Sequence, residues 1–181
     1  MPLIFSPLPS SKSGAKHTIC LYGNDGTEMT KVANANTVVV ITENAITASL
    51  GTLNEDNSPF VSLVTIASQS PTSVLMLLSS LAKHTQNLSH SVRCSLMIVE
   101  ECDQSIAPLV GARVSLGGTC VRIAKDEEEE ARVIFLGKHP HATVYADFDD
   151  FAFYRFDVEE AHLIAGFGRF ETISADELRN R

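Results

Sequence analysis

No stretch of the 181-residue sequence reaches the roughly 18 consecutive apolar residues that a membrane-spanning helix needs. No basic start followed by an apolar run marks a secretory leader. The four cysteines, Cys20, Cys94, Cys102 and Cys120, form no CxxC pair and no zinc-type spacing. Reduced thiols in a cytoplasmic protein are the simplest expectation, with Cys94 and Cys120 as small core residues in apolar runs. Positive charge is also short. Fourteen Lys and Arg against 22 Asp and Glu leave a net charge of -8, which argues against nonspecific binding to nucleic acid or to an anionic membrane. What is present is ordinary apolar content in a chain long enough for one domain with a real core.

Residues 1–36 are rich in Ser, Pro, Gly, Asn and Lys and read as a flexible arm. His17 and Cys20 are incidental within it, because no second ligand pair follows. The folded domain is expected over 37–181. Thr37 to Ala48 gives a helical stripe of Val38, Val39, Ile41, Ala45, Ile46 and Ala48. Ser49–Leu53 and Phe60–Ala67 read as two strands around the turn formers Asn54–Pro59, hence a hairpin. After a turn at Ser68–Ser73, Val74–Leu78 is a third strand and Arg93–Val99 a fourth. Ala112–Ile123 is a long fifth, and its Gly117-Gly118 pair suggests a bulge or bend. Asp126 and Glu129 have capping-box spacing at the start of an acidic helix that Pro140 stops, and Glu127–Glu130 read as a solvated face. His139-Pro140-His141 is the only close histidine pair, but the intervening proline makes shared metal geometry awkward, so no metal is expected. Phe151–Val158 and Ala161–Gly168 are the sixth and seventh strands, and Ala175–Arg181 a closing helix. Six or seven mostly hairpin-connected strands with peripheral helices predict an α+β fold built on a small antiparallel barrel.

One junction is chemically unusual. The run Leu75–Leu78 passes into Ser79-Ser80 and then a helical pattern, with either serine as N-cap. Leu81, Thr85, Leu88 and Val92 are expected to face the core, with Lys83, Gln86, Asn87 and His90 opposite. A helix start carries partial positive charge and favours acids, yet Lys83 and His84 stand in the first turn. An anion held by free N–H groups, the serine hydroxyls and Lys83 would reverse that cost, and phosphate fits.

The order and spacing of several segments resemble a known family. Ser49–Leu53 with Pro59 and the Phe60–Ala67 strand resembles the opening of FMN-binding split barrels of the pyridoxamine 5′-phosphate oxidase type. Ser79–Leu88, Pro108–Val114, Asp150–Arg155 and Gly166–Arg169 are similar to segments of its haem-utilisation, HugZ-like branch. The resemblance covers residues 37–172. It implies a split barrel that forms a homodimer with two sites at the subunit interface. Lys83, His84 and nearby hydroxyls (Ser79, Ser80 and Thr85, with Asn87) would hold the FMN phosphate. Ser62, Val64 and Thr65 would run along the flavin, and Arg113 would reach it from the long strand.

The oxidase's arginine near Ser62 and lysine near Ala67 are missing here, as are tryptophan and its C-terminal substrate segment, so true pyridoxamine phosphate oxidation is not expected. The leading expectation is a flavin-binding oxidoreductase of this superfamily, with no catalytic acid or base assigned. The alternative is a haem-binding protein for haem utilisation, storage or breakdown that uses the dimer cleft. In the haem branch an iron ligand comes from a histidine near the C-terminus; the last one here, His162, falls in a predicted strand.

Overall fold

The computed structural model describes residues 28–100, 111–165 and 170–181. Most of the expected arm, with His17 and Cys20, the loop at 101–107, the start of the Pro108–Val114 segment and Gly166–Arg169 lie outside the described residues.

The elements run α1 (Glu28–Asn44), β1 (Thr47–Leu53), β2 (Pro59–Thr65), β3 (Ala67–Ser70), β4 (Ser73–Ser79), α2 (Lys83–His90), β5 (Arg93–Val99), β6 (Arg113–Arg122), α3 (Glu128–Lys138), a 3-10 turn (Pro140–Val144), β7 (Phe151–Ile164), β8 (Phe170–Ser174) and α4 (Ala175–Arg179). All pairings are antiparallel, in the order β2-β1-β5-β6-β7-β4-β3, with β8 added to β7. The two ends of this path, β2 and β3, are joined by one residue, Ile66. One residue spans only about 3.5 Å, so the sheet must curl until its edges meet. They meet without pairing, and the result is an α+β split barrel. Ile66 is fully buried at the seam. Its N–H donates to Ile46 O (3.0 Å), and its carbonyl accepts from His139 Nε2 (2.7 Å).

Two apolar cores follow from strand alternation. The inner one joins Leu50, Leu96, Leu116, Phe156, Met76 and Leu78 to Val38, Val39 and Ile41 of α1, which plugs the barrel. The outer one lies under α3, where Ala131 and Phe135 cover Ala67, Leu75, Leu77 and Phe153. Strand β4 is therefore buried on both faces, as its unbroken apolar run requires. Cys120 lies in the inner core; a hydrogen bond with Cys94, then burial, pushes its thiol upward. The glycine pair does mark an irregularity. Gly117 faces Glu160 and Gly118 faces Val158, so Glu159 is the extra residue of a bulge.

Several expectations are corrected. Helix α1 starts at Glu28 rather than Thr37, and Lys31 at its start pairs with Glu177 of α4 at 3.7 Å. The predicted Ser68–Ser73 turn contains the short strand β3. Phe151–Ile164 is one 14-residue strand, not two, and the last strand is Phe170–Ser174. Asp126 does not cap α3; Glu127 holds that position without a side-chain bond, because its αR backbone turns the side chain away from the N–H groups. The capping box forms on α4 instead, between Ser174 and Glu177.

Candidate functional site

The β4–α2 junction departs from its expected form. The N-cap of α2 is Ala82, not Ser79 or Ser80, and no side chain caps the helix. Both serines precede the cap because β4 continues through Ser79 and a turn follows. Leu81, before the helix, is 77% exposed rather than in the core, and Val92, beyond its end, is also exposed. Asn87, expected on the polar face, is fully buried and donates to Thr52 Oγ1 and Asn54 Oδ1, each at 3.0 Å. Thr85 and Leu88 face inward as expected; Asn87 joins them because its amide bonds to β1 and the turn after it.

Ser62, His84, Thr85 and Asn87 face the inner side of the barrel, from β2 and α2; Ser79 alternates with Leu75 and Leu77 and so faces the α3 side of β4, Ser80 lies in the turn that follows, and Lys83 opens α2. Ser62 Oγ lies 3.0 Å from His84 Nδ1. Burial holds the His84 imidazole below its ordinary pKa, which favours the neutral ring. Lys83 is exposed. The backbone N–H groups of Lys83 and His84 are the first of the helix and lack intrahelical acceptors. Thr85 Oγ1 and Asn87 Oδ1 are buried without a hydrogen-bond partner, and such groups are costly unless something meets them. On the α3 side of β4, Ser79 Oγ donates to Asp150 Oδ2 at 2.6 Å, and Ser80 N donates to the Asp150 carbonyl at 2.6 Å. Sequence reasoning missed Asp150. The only signal was an acid just before the Phe151 strand, which pairs Ser79 with Phe151.

Val64, Thr65 and Arg113 lie elsewhere. Val64 is a core residue. Ser62 is register partner to buried Leu50, so it points inward, whereas Leu63 and Thr65 point outward. Arg113 pairs with exposed Val99 and shares that outer face.

The outer face is the second notable surface. Leu63, Ser49, Met97, Ser115, His162 and Thr172 occupy successive register positions across β2-β1-β5-β6-β7-β8. Val99, Arg113, Ile164 and Phe170 form a parallel row. Among the described residues, no helix covers this half of the barrel as α3 covers the other. Val61, Leu63, Met97, Val99 and Phe170 are between 46% and 75% exposed. His162 Nδ1 lies 3.2 Å from Thr172 Oγ1, and its ring lies beside Phe170 with centroids 6.4 Å apart. When Nδ1–H donates to Thr172, Nε2 keeps its lone pair. Six strands at about 4.8 Å spacing make this face roughly 24 Å wide. Apolar side chains exposed together on this scale are what interaction surfaces carry, here interspersed with Ser49, Ser115, Thr172, Arg113 and His162.

The architecture is that of an antiparallel split barrel with peripheral helices. Residues 26–180 match the family model described as CREG, beta-barrel, and the chain belongs to that family. It is 26% identical over 178 residues to the Arabidopsis thaliana protein named non-canonical heme oxygenase HOZ, chloroplastic, which covers 90% of this chain and 54% of the relative. It superimposes on a heme binding protein from Mycobacterium smegmatis with a TM-score of 0.74 and 29% identity, over 83% of this chain and 60% of the other. A FAD-binding protein from Mesorhizobium loti shares the fold at a TM-score of 0.59 and 13% identity, over 77% and 94% of the two chains. The chain spans about half the length of the curated relative it matches. Among the described residues, no helix is long and apolar enough to cross a membrane.

Proposed function

We propose that this chain binds haem as a homodimer, with the macrocycle against the uncovered outer face around His162. The observation that carries the reading is the exposed outer face, where Leu63, Met97, Val99 and Phe170 surround a mixed row across six strands with one imidazole in it. Two relatives above 25% identity support it, because both are named for haem, whereas the flavin-named neighbour supports only the fold.

The residues fit the group. Leu63, Met97, Val99, Ile164 and Phe170 offer apolar contact to a flat ring, and His162 Nε2 is the nitrogen left for iron. Thr172, holding Nδ1, would orient the ligand as outer partners of metal-bound imidazoles do. Arg113, on the same face, would meet propionate charge. Haem supplies redox and oxygen chemistry when bound, while the protein supplies binding, orientation and water exclusion. A second copy would cover the remaining apolar surface.

Titration of haemin into the apo-protein tests the reading. The expected result is a Soret band saturating at one haem per chain in a dimeric protein. His162→Ala should weaken binding at least tenfold and shift the band. Absence of a saturable Soret band, or an unchanged spectrum in His162→Ala, would overturn it.

FMN binding is the second reading, favoured by the unmet N–H groups of Lys83 and His84 and by the unpartnered Thr85 hydroxyl. In that reading Ser62, Ser79, Ser80, Lys83, His84, Thr85 and Asn87 hold phosphate, Val64 and Thr65 border the flavin, and the chain is an oxidoreductase. The carboxylate on Ser79 counts against it. A purified protein carrying stoichiometric FMN would establish it.

A further inference from the structure

We propose that Ser62 and His84 are a nucleophile and its base, and that together they cleave small carboxylic esters on the inner side of the sheet. This activity is independent of haem, which the reading above places on the opposite, outer face. Ser62 Oγ lies 3.0 Å from His84 Nδ1, within the reach that proton transfer to a base requires. Burial holds the His84 ring below its ordinary pKa, so the imidazole is neutral at neutral pH and free to accept. In the tautomer that carries its proton on Nε2, Nδ1 is the acceptor and the Ser62 hydroxyl donates to it. Both residues are partly exposed, so the pair is open to a small substrate. Phe60 and Val64 flank Ser62 on the same face of β2 and offer an apolar wall to a short acyl chain.

A third group comes from the edge of β2. Ile66 N donates to Ile46 O, and Asn54 N donates to Ser58 O; both pairs continue the β1–β2 register. Hydrogen-bonded pairs alternate along an antiparallel ladder, so Ser62 directs its N–H toward β1 and Leu63 directs its N–H away. Strand β2 ends the strand order and pairs only with β1. Among the described residues, no acceptor meets the Leu63 N–H. The N–H of the residue after a nucleophilic serine is a donor that hydrolases use to stabilise the oxyanion. The step then balances on this chain's own groups. The Ser62 proton passes to His84 Nδ1 as Oγ bonds the acyl carbon, and the departing alcohol takes that proton as its C–O bond breaks. Water then attacks the acyl-serine and gives a proton to His84. The acid leaves as the proton returns to Ser62 Oγ.

The test treats the full chain with an alkyl fluorophosphonate, which bonds phosphorus to an activated serine and releases fluoride, and maps the product by peptide mass spectrometry. The expected result is one adduct per chain, on Ser62. His84→Gln should slow its formation at least tenfold, and Ser62→Ala should abolish it, with far-ultraviolet circular dichroism unchanged in both. Hydrolysis of p-nitrophenyl acetate by wild type should exceed the buffer rate and fall at least tenfold in each variant. Wild type without an adduct on Ser62, or a folded His84→Gln that labels as fast as wild type, would overturn the proposal.

Discussion

Gly117 and Gly118 are adjacent in β6, yet the structure assigns them opposite tolerances. A Cβ on Gly118 would lie 2.1 Å from the Asp157 carbonyl oxygen and 3.1 Å from its carbon, both backbone atoms of β7. Real contacts of this kind do not fall below about 3 Å, so Gly118→Ala must push the strands apart by roughly 1 Å at the bulge. Strand β7 cannot yield freely, because it is also paired with β4 from Ser73 to Ser79. Overpacking of this kind costs about 1–3 kcal/mol, and a rigid backbone neighbour places the value at the upper end, about 3 kcal/mol. A Cβ on Gly117 meets only the Glu160 side chain, nearest at 3.4 Å, an ordinary contact with a flexible group. Gly117→Ala then carries the benefit of a less flexible unfolded chain, about 0.4–1 kcal/mol, set against that contact.

Urea denaturation followed by circular dichroism separates the two. With a slope near 2 kcal/mol/M, Gly118→Ala should lower the midpoint by about 1.5 M, while Gly117→Ala should move it by less than about 0.5 M. Equal effects at the two positions would refute the bulge geometry and the register it sets for β6 and β7.

Other outcomes follow from separate parts of the structure. Leu63→Lys, which charges the β2 end of the outer face, should leave far-ultraviolet circular dichroism unchanged and convert a dimer to a monomer in sedimentation velocity. Thr85→Val replaces a buried hydroxyl with no partner and should hold or raise apo-protein stability by up to about 1 kcal/mol in urea melts; a clear loss would mean that the hydroxyl is bonded. His139→Ala removes the donor to Ile66 O and a ring packed on Phe135, with an expected loss of about 2–3 kcal/mol by thermal melting. His84 has its folded pKa held below 6.5 by burial, so the unfolded chain takes up its proton first. That contribution is fully present above pH 6.5 and is lost as pH falls toward the folded pKa; the denaturation midpoint of His84→Gln should fall less than that of wild type below pH 6.5.

Legibility in the sequence followed local physics. Strands β1, β2, β4, β5 and β6 were visible because their apolar residues alternate or run unbroken between turn formers. Strand β3, Ala-Ser-Gln-Ser, carries almost no apolar signal and exists because β4 offers it an edge. The early start of α1 was hidden because it depends on contacts with β8 and α4, including Asn34 to Glu171, far away in sequence. The expected helix start without an acid is present, since Lys83 begins α2 and its first turn carries none. The inward placement of Thr85 and Leu88 held, but Leu81 precedes the helix and the buried arc widens to Asn87, whose amide meets Thr52 and Asn54.

The predicted site residues divide between two sides of one sheet. Ser62 and the α2 residues lie on the inner side, and Thr65 and Arg113 on the outer side. The β2-β1-β5-β6 layer separates them, with Leu50, Leu96 and Leu116 filling its inner face. A small molecule cannot touch both sets within one chain. A site that used all of them would have to take its inner set from one copy and Arg113 from another, which is what stacking two uncovered outer faces around a twofold axis would permit. The haem reading needs the outer set and a partner to bury it; the flavin reading needs the inner set and a partner to complete it. Each fails in a protein that stays monomeric at ligand saturation, so sedimentation of the loaded protein tests what the two readings share, and the spectrum then separates them.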